Sequence, residues 1–373
     1  MTEIYLIRHA QAEGNVYRMM QGHWDGDVTD MGMRQIDALA ERFKDVAVDA
    51  IYASDLYRTR LTASAISRYH DLPIIPRKDL REINVGPWET RFFGNVIHDE
   101  PETAYNFMYD QNKWYKEGAE TYADVTNRVY PALVDIAQKH PGGKVVAVSH
   151  GVSIRCAVAK IAGLDLNDVE GLPICRNTSV TKLIWDKGKF TLAYMNDYSH
   201  LEALGSSPWN ANSDLRDEPV DVSRYAQWYM DCYEDCWLAA HGSTGGFNGP
   251  AYLNSAIEHY KADPESILRI YDKDEPVGLI DMDTSRGAQE GYGWISLLYL
   301  KEEYRRKGYG IQLLARPMFK YTAMGRKALR LHAAVDNKAA IAFYEKYGFE
   351  TIAVENGRLL LMEKKLGGFR NEK

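Results

Sequence analysis

The stretch KVVAVS, residues 144–149, constrains the fold of this chain more than any other. Val145, Val146, Ala147 and Val148 are apolar without alternation, so both faces of a strand built from them must be covered. A strand buried on both faces is characteristic of the centre of a parallel sheet with helices on either side. EIYLIR and AIYAS read the same way. Between them, Thr29 can cap a helix that places Ile36, Leu39, Ala40 and Phe43 on one face. Ser54 can cap the next helix, and a third carries Ile154, Val158 and Ile161. SVTKLIW and KFTLAYM flank Asp186-Lys187-Gly188 and read as a hairpin. Alternating strands and helices predict an α/β layered sheet.

These apolar runs end in charge. Residues 4–7 deliver Arg8 and His9, the KVVAVS strand delivers His150, and AIYAS runs on to Arg58. In open α/β sheets ligands bind beyond the carboxyl ends of the strands, which predicts that two His and two Arg converge at one edge. Such a cluster repels itself unless it holds an anion, and arginine forks match a phosphate dianion. One neutral imidazole can attack phosphorus while the other cations stabilise the transferring group. The leaving oxygen then needs a proton. LREINVGPWE offers the carboxyl of Glu82 in a loop near Trp88, where partial desolvation favours an acid. Taken singly, a histidine at a strand end or an arginine such as Arg58 is usually structural; the set is harder to explain that way.

The chain has 373 residues, enough for two domains, and a net charge of -7, which gives no general attraction to nucleic acid or an anionic membrane. No apolar run approaches the roughly 20 residues of a membrane helix, and MTEIYLIRH lacks the basic-then-apolar pattern of a signal peptide. Four cysteines make no disulfide framework, and Cys232 and Cys236, spaced i, i+4, read as reduced thiols rather than half of a metal site. No metal-ligand cluster is visible. These features read as a cytoplasmic protein, a monomer or homodimer.

Composition shifts at LGSSPWNANSDLR, so residues 205–215 are expected to link a domain at 1–204 to one at 216–368. The second part is α+β. Helical stretches at about 221–240 and 250–261 precede ILRIYD and PVGLIDM, paired across Lys273-Asp274-Glu275. YGWISLLYL follows, then a helix from about 308 that Pro317 should kink, the strand KALRLHAAV, a short helix from Asn337, and a hairpin turning at Glu355-Asn356-Gly357. YRRKGYGI, residues 304–311, places Arg305-x-x-Gly308-x-Gly310 between a strand and a helix, where backbone N–H groups can cradle phosphate.

RHAQAEGN, QGHWDGDVTDMG, SDLYRTRLTA, LREINVGPWE, VSHG, NTSVT and NDYSHL occur in the order of the histidine phosphatase family, and residues 1–204 resemble that phosphoglycerate mutase-like, three-layer α/β/α fold. The resemblance implies His9 as the phosphorylated nucleophile, Arg8, Arg58 and His150 as the phosphate pocket, and Glu82 as proton donor. It places Asn15 and Gln21 at the entrance, against phosphate or substrate. Two positions depart from the family pattern: Ala10 and Thr90 stand where glycine is usual. Alanine is disfavoured at the first if its φ must be positive. The loop LREIxxGxWE and the short domain resemble the phosphatase branch rather than the mutase branch.

RxxGxG followed by NKAAIAFYEKYGFE makes residues 216–368 resemble the α+β GNAT acetyltransferases. That resemblance implies acetyl-CoA, with its pyrophosphate on the turn through Arg305, Arg306, Lys307, Gly308, Tyr309, Gly310 and Ile311. Leu298 and Leu300 would lie beside the pantetheine arm, Asn337 near the cofactor, and Tyr344 would protonate the departing thiolate. No general base stands out; Asp281, Asp283 and Glu290 are nearby acids, and a water chain is an alternative. The Gly-rich loop HGSTGGFNG is expected to be mobile and to border the acceptor site.

The expectation is a bifunctional enzyme. It hydrolyses a small phosphate ester without metal or cofactor, and transfers acetyl from acetyl-CoA to an amine. Two alternatives remain open at this level: a phosphatase regulated by a non-catalytic CoA-binding module, and a mutase primed by a bisphosphate.

Overall fold

The computed structural model describes residues 1–205 and 214–367. The chain divides into two compact units, Met1–Trp209 and Asn210–Lys373. Of the expected linker, residues 206–213 lie outside the described residues.

The first unit is built on a sheet of order β3-β2-β4-β1-β5-β6. Its strands are β1 (Thr2–Arg8), β2 (Ala50–Ser54), β3 (Ile74–Arg77), β4 (Lys144–Ser149), β5 (Val180–Asp186) and β6 (Lys189–Asp197). The first four pair in parallel, while β5 is antiparallel to β1 and to β6. Its helices are α1 (Glu13–Tyr17), α2 (Asp30–Phe43), α3 (Tyr57–His70), α4 (Phe93–Asp99), α5 (Pro101–Tyr109), α6 (Tyr122–Lys139) and α7 (Gly151–Ala162).

The unbroken apolar run of β4 is explained by its position between β2 and β1. Val145 and Ala147 join one core with Val125, Val129 and Leu133 of α6 and Ile154 and Val158 of α7. Val146 and Val148 join the other, with Ile36, Leu39 and Phe43 of α2 and Ala63 and Ile66 of α3. These two cores make three layers. Thr29 caps α2 by accepting from the Gly32 N–H at 3.1 Å. Ser54 does not cap α3: that helix begins after Leu56, and the Ser54 hydroxyl reaches only the Leu56 N–H at 3.5 Å. The carboxylate of Asp25 instead accepts from the Tyr57 N–H. At the β5–β6 turn Lys187 and Gly188 both take positive φ, 48° and 80°, as a tight hairpin of this hand requires.

The second unit carries a sheet of order β12-β13-β11-β10-β9-β8-β7. Its strands are β7 (Arg216–Pro219), β8 (Ile267–Asp272), β9 (Glu275–Asp283), β10 (Tyr292–Leu300), β11 (Ala328–Ala334), β12 (Glu350–Glu355) and β13 (Leu359–Lys365). Its helices are α8 (Ala226–His241), α9 (Gly249–Ala262), α10 (Gly310–Ala323) and α11 (Lys338–Lys346). Among the described residues of this unit only β10 and β11 pair in parallel, over Tyr292–Ile295 and Ala328–Leu331. A bulge between Ile295 and Leu297 follows, and beyond it β10 pairs with β9 alone. The two parallel strands therefore part halfway along. The helix α10 runs through Pro317 as a single element from Gly310 to Ala323. Between α8 and α9, Phe247 of the Gly-rich loop packs on Tyr233, Trp237 and Tyr252, so that loop has an aromatic anchor.

Candidate functional site

Register builds the first site. Arg8 of β1 lies opposite Ser149 of β4, so the next residues, His9 and His150, emerge side by side. Their ring centroids are 5.2 Å apart. Both are buried, as are Arg8, Arg58 and Glu82. Arg58 comes from the first turn of α3 and crosses to His150, its Nη2 donating to His150 Nδ1 at 3.2 Å. The structure thus gathers His9, His150, Arg8, Arg58 and Glu82 at one sheet edge.

The hydrogen bonds fix opposite tautomers on the two histidines. His9 Nδ1 lies 2.7 Å from the carbonyl of Ala10. A carbonyl only accepts, so Nδ1 holds the proton and Nε2 keeps a lone pair. His150 Nδ1 faces a guanidinium, which only donates, so its proton sits on Nε2. That Nε2 is enclosed and has no hydrogen-bond partner among the described residues; Arg58 Nε and Gln21 Nε2 share this condition. Burial, then the positive charge of Arg58, hold both imidazoles well below their ordinary pKa, with Arg8 adding to the effect. Both are neutral near pH 7. The site presents one nucleophilic nitrogen and several buried donors, which fits a tetrahedral oxyanion.

The loop carrying Glu82 is tied to α7. Glu82 Oε1 accepts from the Ser153 and Ile83 N–H groups at 3.1 Å each, and Oε2 from the Val152 N–H at 3.1 Å. Arg8 stacks close to the same turn, since a Cβ on Gly151 would sit 3.5 Å from Arg8 Nε and 3.8 Å from Glu82 Oε2. Arg8 Nη1 donates to the carbonyl of Cys175 at 2.5 Å. The half-buried Asn15 and Gln21 sit on the adjoining segment. Asn15 Oδ1 accepts from Asn177 Nδ2 at 3.2 Å, and Asn177 Nδ2 also reaches the carbonyl of His9 at 3.0 Å.

Several supporting residues escaped the sequence reading. Glu89 accepts from the N–H groups of Gly22, His23 and Trp24 at 3.2, 2.7 and 2.9 Å. That shapes the turn whose Gly22 and Trp24 carbonyls accept from Arg58 at 2.8 and 2.9 Å. Arg128 of α6 donates to the carbonyls of Arg81 and Glu82 at 2.7 and 2.9 Å. Glu89 was visible in the WE pair; Arg128 sits in a helix that the sequence reading did not locate. Ala10 is not at positive φ, so alanine costs nothing there, whereas Thr90 is, at 68°, a strained setting for a β-branched residue.

In the second unit the turn before α10 has Arg306 at φ 59° and Gly308 at φ 86°. A Cβ on Gly310, the first residue of α10, would meet the Phe343 ring at 2.8 Å. Successive N–H groups in such a turn, with those of the first helical turn beyond it through Tyr309, Gly310 and Ile311, can serve as donors to an anion. Arg305 itself is turned elsewhere: Nε donates to the Leu300 carbonyl at 2.7 Å and Nη2 to Asp235 of α8 at 2.9 Å. Leu298 and Leu300 lie on the part of β10 that β11 has left. Asn337 caps α11, accepting from the Ala340 N–H at 3.1 Å. Tyr344 is buried with ring centroids 5.3 Å from Phe343 and 5.4 Å from Phe349, and burial raises its hydroxyl pKa so that it stays protonated.

Residues 4–198, just over half of the chain, match the family model of the histidine phosphatase superfamily, branch 1. The chain belongs to the histidine phosphatase superfamily. Residues 222–349 match the acetyltransferase (GNAT) family, so a GNAT domain follows the phosphatase domain. The chain is 30% identical over 201 residues to phosphoserine phosphatase 1 of Hydrogenobacter thermophilus, covering 54% of this chain and 95% of that one. It is 30% identical over 208 residues to the probable phosphoglycerate mutase GpmB of Escherichia coli, covering 54% and 96%. Among solved structures, YhfR of Bacillus stearothermophilus superposes with a TM-score of 0.53 at 31% identity, over 54% of this chain and all of that one. Among the described residues no helix is long and apolar enough to cross a membrane.

Proposed function

We infer that the histidine phosphatase domain hydrolyses a small phosphomonoester through a phosphohistidine on His9, and that the GNAT domain acetylates an amine. The observation that carries the first part is the pair of opposite tautomers, an open lone pair on His9 Nε2 beside an unpartnered N–H on His150. His9 Nε2 attacks phosphorus, the P–O bond to the leaving group breaks, and Glu82 gives that oxygen a proton. Water then attacks phosphohistidine, returns its proton to Glu82, and releases His9. Arg8, Arg58 and His150 hold the phosphoryl oxygens throughout, and Asn15 and Gln21 border the entrance. Arg8 and Arg58 supply the positive charge that phosphoryl transfer needs and His150 adds an N–H donor, so the reaction proceeds without a metal.

For the GNAT domain, acetyl-CoA supplies an activated acyl group. The fit rests on two features: the turn before α10, suited to a pyrophosphate, and the edge of β10 left by β11, where an amide-bearing arm can pair with a strand. Tyr344 donates a proton to the departing sulfur, and Asn337 orders the start of α11 beside it. O-phosphoserine, named for the Hydrogenobacter relative, carries both an ester phosphate and an amine and is the first ester to assay.

The test is turnover of para-nitrophenyl phosphate by the full chain in EDTA, wild type against His9→Ala. Hydrolysis that vanishes with His9 is expected. Turnover by wild type that needs added metal, or that survives in His9→Ala, would overturn the phosphohistidine route.

A further inference from the structure

The sequence offers no evident base for the acetyl acceptor, but the sheet of the GNAT domain does. Strands β10 and β11 pair as far as Ile295 and Leu331, and His332 is the first residue of β11 past the point where they part. Its side chain lies on the sheet face away from α10: a Cβ on Gly293, opposite Leu329, would strike the Tyr321 ring of α10, whereas His332 and Trp294 project to the other side. There the two rings meet edge to face, 4.8 Å apart. This is the face on which α8 and α9 pack against Leu279, Leu297 and Tyr299. Arg286 closes over Trp294, 3.3 Å from its ring.

Glu355, across the sheet on β12, places Oε2 3.1 Å from His332 Nε2. The contact is close without being an aligned hydrogen bond, since Nε2 is enclosed without a hydrogen-bond partner among the described residues. A carboxylate at that nitrogen favours the tautomer with its proton on Nε2 and leaves the lone pair on Nδ1. Burial lowers the imidazole pKa, with Arg286 acting the same way and Glu355 opposing, so the ring is neutral near pH 7. Arg330, two residues earlier on the same face, is paired with Glu363 at 2.7 Å.

We propose that His332 is the general base of acetyl transfer, set at the mouth of the split between β10 and β11 and backed by Glu355. This rests on the reading of the second domain as an acetyltransferase. The amine nitrogen attacks the thioester carbonyl carbon and its excess proton passes to His332 Nδ1. The C–S bond breaks, and the sulfur takes its proton from Tyr344. Glu355 stabilises the imidazolium formed, as the carboxylate of a catalytic triad does.

Bromoacetyl-CoA tests the placement on the full chain without knowledge of the acceptor. A neutral imidazole within reach of the acyl carbon displaces bromide and retains the CoA adduct. Peptide mass spectrometry should find the adduct on His332, suppressed by excess CoA and absent from His332→Gln, while calorimetry shows that both proteins bind CoA alike. The labelling rate should hold steady as pH falls from 8 and drop only below about 6.5. CoA binding with the adduct elsewhere, or with none, overturns the proposal while leaving the acetyltransferase reading intact. A rate that already falls below pH 8 marks an imidazolium at neutral pH and overturns the role as base. Absence of CoA binding removes the acetyltransferase reading and this proposal with it.

Discussion

Glu82→Gln separates a proton donor from a carboxylate that only holds the site together. In the structure both oxygens of Glu82 accept N–H bonds, from Ile83 and Ser153 on one side and Val152 on the other. A glutamine keeps one accepting oxygen and turns its NH₂ toward an N–H donor, so at least one of these bonds is lost. A buried donor left unpaired costs roughly 1–3 kcal/mol, which should appear as lower thermal stability and a general fall in phosphatase rate. Loss of the acid has a different signature. General acid catalysis contributes roughly 10²–10⁴ in rate, about 2.7–5.4 kcal/mol, and only where the leaving group needs a proton. The assay is kcat/KM of wild type and Glu82→Gln on para-nitrophenyl phosphate, whose phenolate departs unaided, and on an alkyl phosphate such as O-phosphoserine. The expected loss on the alkyl ester exceeds that on the aryl ester by about 10²-fold or more. Equal losses on the two esters would refute the donor role and leave Glu82 as a positioning residue for α7 and the loop at 82.

Two further outcomes follow from groups outside the reacting set. In the GNAT domain His259 of α9 donates from Nδ1 to Asp281 at 2.7 Å, Asp283 lies 3.4 Å from Nε2, and Tyr229 donates to Asp281 at 2.7 Å. Burial opposes the charge, but the two carboxylates prevail and push the His259 pKa up to about 9. A raised folded-state pKa means that this network stabilises fully below pH about 6.5 and fades as pH climbs through 9, a contribution of about 3 kcal/mol at most, which solvent screening at the half-buried site reduces. Hydrogen exchange of α9 amides should lose that protection between those pH values in wild type, after correction for intrinsic rates, and show no such step in His259→Gln; a step in both would assign it to another group. In the phosphatase domain, Thr90→Gly should raise the melting temperature. It removes about 1–2 kcal/mol of left-handed strain against about 0.5–1 kcal/mol of extra chain entropy, and a lower melting temperature would show that the threonine side chain holds something the strain argument ignores.

How much of this was legible before the structure depends on the range of the interaction. The strand ends were readable because burial on both faces writes an unbroken apolar run, and a charge at the end of such a run has nowhere to go but the sheet edge. Arg8, His9 and His150 are found together for that reason, and Arg58 joins them from the first turn of the helix that follows β2. Arg128 and Glu89 were not assigned because their work is done on backbone carbonyls and N–H groups far away in sequence, which leave no trace in residue type. The Ser54 cap failed because the chain takes two more residues before α3 begins, and Asp25, from another loop, answers the first N–H. His332 stayed hidden for a third reason: its significance lies in where β11 leaves β10, and the sequence shows a continuous strand there.

Three arginines of the phosphatase domain, two buried and Arg128 half-buried, share a habit. Arg58 grips the carbonyls of Gly22 and Trp24, Arg128 those of Asp79, Arg81 and Glu82, and Arg8 that of Cys175. A carbonyl is the same whichever side chain it carries. The grip on Trp24, Asp79, Arg81 and Cys175 therefore depends on where their backbone lies rather than on their side chains, and an insertion or deletion that moves that backbone disturbs the frame; Gly22, where a Cβ would strike the Ile83 carbonyl, and Glu82 are held to their identities as well. Substitutions at the rim of such a pocket can change which ester fits without moving the backbone that the arginines hold.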